Sequence, residues 1–218
     1  MLKAVVFDMD GVIVDSHPIH KRAWKKFLAG LGKDVSDSDL EFVLDGRKKE
    51  EILRHFLGEL TAEQVRRYAS EKELLFREEM SLVGPLPGLP RLLDELRLGR
   101  VHIAVASCGS RLRVDYLLDH LQLQRSFRTV VTGDDVPNGK PDPAIFLEAV
   151  RRLQVRCAEV LVVEDAVSGV KAAKSAGMKC LAVASNGRES LLRVAGADCV
   201  VADFVDISLR KLQGLFPG

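Results

Sequence analysis

The sequence predicts an α/β fold, a parallel sheet covered by helices, and three observations lead there. Six short, almost continuous apolar runs punctuate the chain: Leu2 to Phe7, Val101 to Ala106, Thr129 to Thr132, Val160 to Val163, Cys180 to Ala184 and Cys199 to Ala202. Strands buried on both faces read this way, because neither face has to alternate with polar side chains. Helical periodicities fill the gaps over Leu89 to Leu98, Arg111 to Leu121, Pro143 to Leu153, Ser168 to Ala176 and Glu189 to Val194. Strand and helix therefore alternate. Polar residues collect just past the apolar runs, where an open parallel sheet binds its ligands.

The first run ends in Phe7-Asp8-Met9-Asp10-Gly11. Gly11 permits a sharp turn without a Cβ penalty. Asp8 and Asp10, two residues apart, repel unless a cation sits between them or one holds a proton. An Asp-rich turn that satisfies its own backbone is the competing reading. The second run is followed by Ser107, and the fourth by Glu164 and Asp165. After the third comes Asn138-Gly139-Lys140-Pro141-Asp142-Pro143, in which Asp142 suits the cap of a helix whose first residue is Pro143. Four separate segments thus aim polar groups at one crevice, which turn chemistry alone does not explain.

Residues 15–82 follow another rhythm and are expected to form an all-α insertion, with the α/β core made of 1–14 and 83–218. Ala23, Phe27, Leu28 and Leu31 mark one helical face; Ile52, Leu53, Phe56, Leu57 and Leu60 mark a second. Thr61-Ala62-Glu63-Gln64 has the form of a capping box for a third helix bearing Val65, Tyr68, Leu75 and Phe76. Ser16-His17-Pro18 and Gly84-Pro85-Leu86-Pro87-Gly88 punctuate the borders and suit two connecting strands.

Composition limits the function classes. In 218 residues, 32 Lys and Arg balance 31 Asp and Glu, a net charge of +1 that offers no field for nucleic acid or an anionic membrane. No apolar stretch reaches a membrane span, and the N-terminus enters a strand with no leader pattern, so a cytoplasmic monomer is expected. Cys108, Cys157, Cys180 and Cys199 form no Cys-x-x-Cys pair and read as packed thiols.

Asp8-Met9-Asp10-Gly11-Val12, Val105-Ala106-Ser107, Gly139-Lys140-Pro141-Asp142-Pro143 and Val163-Glu164-Asp165-Ala166-Val167-Ser168-Gly169 together resemble the four motifs of haloacid dehalogenase-like hydrolases with a small helical cap, the phosphatase and β-phosphoglucomutase branch. The resemblance spans essentially the whole chain. It implies a Rossmann-like core with the cap inserted after the first strand. It also implies a small phosphorylated metabolite as substrate and Mg²⁺ as cofactor, held by Asp8, the Asp10 backbone carbonyl and Asp165, with Glu164 as a direct or water-mediated fourth. Asp8 would form an aspartyl-phosphate while Asp10 protonates the departing alcohol and later deprotonates water, with Ser107 and Lys140 on the phosphate oxygens. Positive charge is needed there because a phosphate dianion repels a carboxylate nucleophile.

Four cap residues bear on the substrate. His20 and Trp24 have the His-x-x-x-Trp spacing of β-phosphoglucomutases, in which the histidine would hydrogen-bond Asp10; a core tryptophan and a solvated histidine are the alternative. Arg47 and Lys49 open a helix and suit a distal phosphate or carboxylate, or else form a solvated charge run with Glu50 and Glu51. Relative to the mutases, Lys49 stands in an arginine's place, and Gly109-Ser110-Arg111 replaces Ser and Lys-Asn. Lys does not replace Arg at a bidentate phosphate site without loss. A phosphatase is therefore expected first and a phosphosugar mutase second. A phospho-receiver domain comes last, since it has no use for a second acid or a large helical insertion.

Overall fold

The computed structural model describes residues 1–80, 83–184 and 187–216. Its six strands are β1 (Ala4–Phe7), β2 (His102–Ser107), β3 (Thr129–Thr132), β4 (Val160–Glu164), β5 (Lys179–Val183) and β6 (Cys199–Val201). All neighbours are parallel, in the order β3-β2-β1-β4-β5-β6. Each apolar run became one strand, with ends moved by no more than two residues. The order reverses direction around β1, the switch point of a doubly wound sheet, so the crevice opens where β1, β2 and β4 end. Phe7 is level with Val105 and Val163, which brings the next residue, Asp8, level with Ala106 and Glu164, one residue short of Ser107.

Side chains alternate across β1 and so build two cores. Val5 and Phe7 join Ile103, Val105, Leu161 and Val163 against α4 (Leu89–Leu98), α5 (Arg111–His120) and α9 (Leu209–Gln213). Ala4 and Val6 join Ala104, Ala106, Val160 and Val162 against α6 (Ala144–Leu153), α7 (Val167–Ser175) and α8 (Glu189–Val194). Phe7 meets Phe127 and Phe204 edge-on, both at 6.3 Å between centroids. α9 escaped the sequence reading because five residues are too few to display a helical period. α6 begins at Ala144, one residue later than expected, while the Asp142 carboxylate accepts from the Ala144 N–H at 2.8 Å and still caps the first turn.

The helical cap consists of α1 (His17–Gly30), a 3₁₀ turn over Asp39–Leu44, α2 (Lys49–Leu57) and α3 (Ala62–Glu79). It has its own core around Trp24, Leu28, Leu40 and Leu53, with Phe27 edge-on to Tyr68 at 5.7 Å. The capping box of α3 is present: Gln64 N–H donates to Thr61 Oγ1 at 3.2 Å, and Thr61 N–H donates to Gln64 Oε1 at 2.8 Å. The 3₁₀ turn was not anticipated, and Leu31 falls past the end of α1. The expected end of the insertion, Leu82, lies outside the described residues. The two chain passages between core and cap run side by side: Val14 bridges Pro85, and Leu86 N–H donates to the Ile13 carbonyl at 3.0 Å. Two adjacent crossings constrain the cap more than one linker would.

Asp198 ties the outer part of the sheet. Its carboxylate accepts from Lys174 Nζ at 2.6 Å, Lys179 Nζ at 2.7 Å and the Cys180 N–H at 2.8 Å. Burial alone would raise its pKa, but these donors outweigh it and hold the group below the usual carboxylate range. A folded pKa below the unfolded one stabilises above about pH 4, and that stabilisation is lost as pH falls through the folded value. Asp198→Asn should therefore cost about 1–3 kcal/mol at neutral pH. In urea unfolding, the gap between wild type and variant should narrow by pH 3; an unchanged gap would exclude the ionic tie.

Candidate active site

All ten side chains singled out from the sequence line one cavity of about 60 Å³ between the sheet and the cap. A turn after β1 supplies Asp8 and Asp10, and Gly11 permits it with φ 75°. A Cβ on Gly11 would lie 2.3 Å from Asp165 Oδ2, so this position needs both the left-handed backbone and the missing side chain.

The core half of the cavity is dominated by carboxylates. Lys140, almost fully buried, donates to both Asp8 and Glu164. Glu164 also accepts from the Asp165 and Ala166 N–H groups at 3.0 and 3.1 Å. Burial pushes the Asp8 carboxyl up to about 7, against the pull of Lys140. Burial likewise raises Glu164 and Asp165. Burial opposes the charge on Lys140, yet Asp8 and Glu164 outweigh it and hold the ammonium well above its usual value. Ser107 sits at the end of β2, its Oγ accepting from the Gly109 N–H at 3.1 Å. Cys108 beside it is a packed thiol, pushed up by burial and so unsuited to thiolate chemistry.

His17, which the sequence reading used only as hinge punctuation, places Nε2 3.0 Å from Asp165 Oδ2. Burial would lower its pKa, but Asp165 raises it to about 9, so the ring is an imidazolium. Among the described residues no three His, Cys, Asp or Glu side chains are arranged as a ready metal cluster. Lys140 and His17 instead stand against the carboxylates. The donors themselves, Asp8, Glu164, Asp165 and the Asp10 carbonyl, are hard oxygens crowded with negative charge, which fits a divalent cation such as Mg²⁺ in kind.

Asp10 is held differently. Arg113 reaches it with both terminal nitrogens, Nη2 to Oδ2 at 2.6 Å and Nη1 to Oδ1 at 3.1 Å. Ser16 Oγ also donates to Oδ1, and His20 Nε2 lies 3.1 Å from it. Burial would raise this carboxyl, but Arg113 and His20 outweigh it and hold it well below the usual range. Asp8 and Asp10, two residues apart, are thus driven in opposite directions, Asp8 towards its protonated form and Asp10 towards its carboxylate. Positive charge beside Asp8 and negative charge beside Asp10 are what a nucleophile at 8 and an acid at 10 would each require.

Cap side chains complete the cavity. Burial and the nearby Lys72 push His20 down to about 3, leaving a neutral ring. Its Nδ1 lies 2.9 Å from Lys72 Nζ, while Nε2 faces Asp10 Oδ1 at 3.1 Å and Arg113 Nη1 at 2.6 Å. Trp24 is a core residue of the cap that also lines the cavity, and Lys72 Nζ stands 5.4 Å from its ring. Lys49 pairs with Glu73. Arg47 lies over Phe42 at 4.5 Å and reaches Asp45 and Glu51 at 3.5 Å, so the expected charge run is partly internal. Ser168, at the start of α7, donates its hydroxyl to the Asp45 carbonyl and its N–H to Asp45 Oδ1 at 3.3 Å, joining cap to core.

Arg113 and Lys72 were missed by the sequence reading. For Lys72 a signal existed: it follows Val65 and Tyr68 and precedes Phe76 on the spacing of the buried face of α3, where a lysine is out of place. For Arg113 the only trace was Gly109, whose missing side chain makes room for the guanidinium.

Residues 5–183 match the family model of haloacid dehalogenase-like hydrolases. The chain is 36% identical over 222 residues to the β-phosphoglucomutase of Bacillus subtilis, covering 97% of this chain and 94% of that protein. It is 34% identical over 183 residues to a phosphorylated carbohydrates phosphatase of Thermotoga maritima, covering 82% and 83%. Among solved structures, β-phosphoglucomutase from Clostridium difficile superposes with a TM-score of 0.87 at 28% identity, over 99% of this chain and 97% of that one. The chain belongs to the haloacid dehalogenase-like hydrolases, on the β-phosphoglucomutase-like branch, and is an enzyme of that hydrolase type.

Gly169 gives a test of this geometry. A Cβ there would lie 2.0 Å from Glu164 Cδ and 2.1 Å from Oε1. Gly169→Ala gains helix propensity of about 1 kcal/mol but overpacks the site and displaces Glu164 from Lys140 at a cost of about 1–3 kcal/mol or more, so the variant should be folded yet less stable. Phosphate release should fall about 100-fold, as expected for a misplacement near 1 Å. Full activity in a folded variant would mean that the position of Glu164 is unimportant.

Proposed function

We infer that this chain is a Mg²⁺-dependent phosphatase of small phosphorylated metabolites, in the first place sugar phosphates, working through an aspartyl-phosphate on Asp8. The observation that carries the reading is the pair itself: Asp8 on Lys140 at the floor of the cavity between sheet and cap, and Asp10 two residues on, facing the cap groups. The names of its relatives, which include phosphatases of phosphorylated carbohydrates and of fructose 1-phosphate, support the substrate class.

In the first step Asp8 attacks phosphorus, the new carboxylate O–P bond forms, and the ester O–P bond breaks. Asp10, a carboxylate in the fork of Arg113, has to take up a proton as the phosphate dianion enters beside it, and then gives that proton to the departing alkoxide. In the second step Asp10 takes a proton from water, whose oxygen attacks phosphorus as the acyl-phosphate bond breaks and Asp8 is restored. Ser107 would hold phosphate oxygens, and Lys140, beside Asp8, would offset charge that builds up in both transition states. Asp8, Asp165, Glu164 and the Asp10 carbonyl would hold Mg²⁺, which supplies positive charge to the transferring group. The boundaries we assign are 1–14 and 83–218 for the core and 15–82 for the cap, which shuts bulk water out of the cavity.

A second reading, a phosphosugar mutase, is favoured by the extent of the likeness to β-phosphoglucomutase and by the cap cations Arg47 and Lys49 at the cavity. A mutase has to clamp a second phosphate, whereas Lys49 is paired with Glu73 and Arg47 with Asp45 and Glu51.

A panel of sugar phosphates assayed with and without Mg²⁺ tests the proposal. Phosphate should be released without any bisphosphate activator, chelation should abolish turnover, and Asp8→Asn should leave none measurable. Asp10→Asn should lose about 100-fold or more, the usual worth of general acid–base catalysis. Turnover by the Asp8 variant would refute the assignment, and conversion of β-glucose 1-phosphate to glucose 6-phosphate would establish the mutase instead.

A further inference from the structure

Arg113 is the least expected member of the site. It projects from the first turn of α5, is 4% exposed, and approaches Asp10 past Gly109. A Cβ at Gly109 would lie 2.4 Å from Arg113 Nη2, 2.8 Å from Nε and 2.9 Å from Cζ. Any other residue at 109 would therefore occupy the space the guanidinium now fills. The fork takes both oxygens of Asp10 at once, which fixes the plane of the carboxylate as well as its position. Ser16 and His20, the other partners of Asp10, reach only one oxygen and come from the start of the cap. Arg113 comes from the core, although its Nη1 also meets the cap at His20 Nε2, 2.6 Å away.

We propose that Arg113, admitted by Gly109, is a positioning residue that aims the Asp10 carboxylate at the leaving oxygen and then at the attacking water. This rests on the proposed role of Asp10 as proton donor and acceptor, and it treats Gly109 and Arg113 as one device. It accounts for the departure at Gly109-Ser110-Arg111 from the mutase pattern: the serine expected at 109 is absent because an arginine four residues further on uses its space.

The test separates the two steps by leaving group. p-Nitrophenolate departs without a proton, so forming the phosphoenzyme from p-nitrophenyl phosphate does not need Asp10, whereas hydrolysing it does. Arg113→Met should release about one equivalent of p-nitrophenol per enzyme in a rapid burst, followed by turnover slowed on the order of 100-fold. With an alkyl phosphate such as glycerol 3-phosphate the same variant should show no burst, because both steps then need the aimed acid. Gly109→Ala should reproduce this pattern with Arg113 intact. The double variant should be no slower than Arg113→Met, since coupled residues do not add their losses. Arg113→Lys, which keeps the charge and loses the fork, should recover only part of the rate.

Burst and turnover falling together would reduce Arg113 to a structural role and overturn the proposal. So would independent, additive losses from Gly109→Ala and Arg113→Met, or an Arg113→Met enzyme as fast as wild type. A wild-type enzyme that releases phosphate from neither ester would instead refute the phosphatase reading itself, and the inference with it.

Discussion

The site depends on one buried ammonium. Asp8, Glu164 and Asp165 come from two strand ends and would repel one another if left alone in a poorly hydrated crevice. Lys140 bonds two of them at once and is as buried as they are. Its loop is anchored on both sides: Asn138 donates to Asp142 at 2.9 Å, Asp142 caps α6, and Phe146 of that helix presents its ring 5.2 Å from the ammonium. The charge is therefore delivered by a fixed loop, which suits electrostatic stabilisation that needs no rearrangement during reaction.

Beyond that pair the cavity divides by charge. The floor is acidic, balanced by Lys140 and His17; the roof gathers Arg113, Lys72 and Lys49 around a neutral His20 and Glu73. Asp8 and Asp10 straddle the division although they are neighbours on one turn. The turn of Gly11 therefore does more than reverse the chain, since it separates two identical side chains into unlike surroundings.

The architecture was legible because a parallel sheet leaves such a plain mark: six apolar runs became six strands, and the residues after them met at the crevice as strand ends must. The motif residues could be found for the same reason. Lys72 left one local mark, a lysine on the buried face of α3, but neither its role nor that of Arg113 could be read, because both depend on partners far off in sequence, 103 residues from Arg113 to Asp10 and 52 from Lys72 to His20. Nothing local distinguishes an arginine in a helix that joins solvent from one that enters a cavity. His17 was visible only as punctuation before a proline, and its contact with Asp165 arises from the turn that returns the chain past β4.

β1 lies third of the six strands, with two neighbours on one side and three on the other. Opening events that begin at sheet margins, such as the half-buried β6, can pass without disturbing the segment that carries Asp8. Backbone amides of Val5 to Phe7 then belong to the last unit to exchange with solvent. The carboxylate proposed as nucleophile is fastened to the most persistent part of the molecule, while the groups proposed to choose its substrate ride on a separate helical layer joined by two short passages.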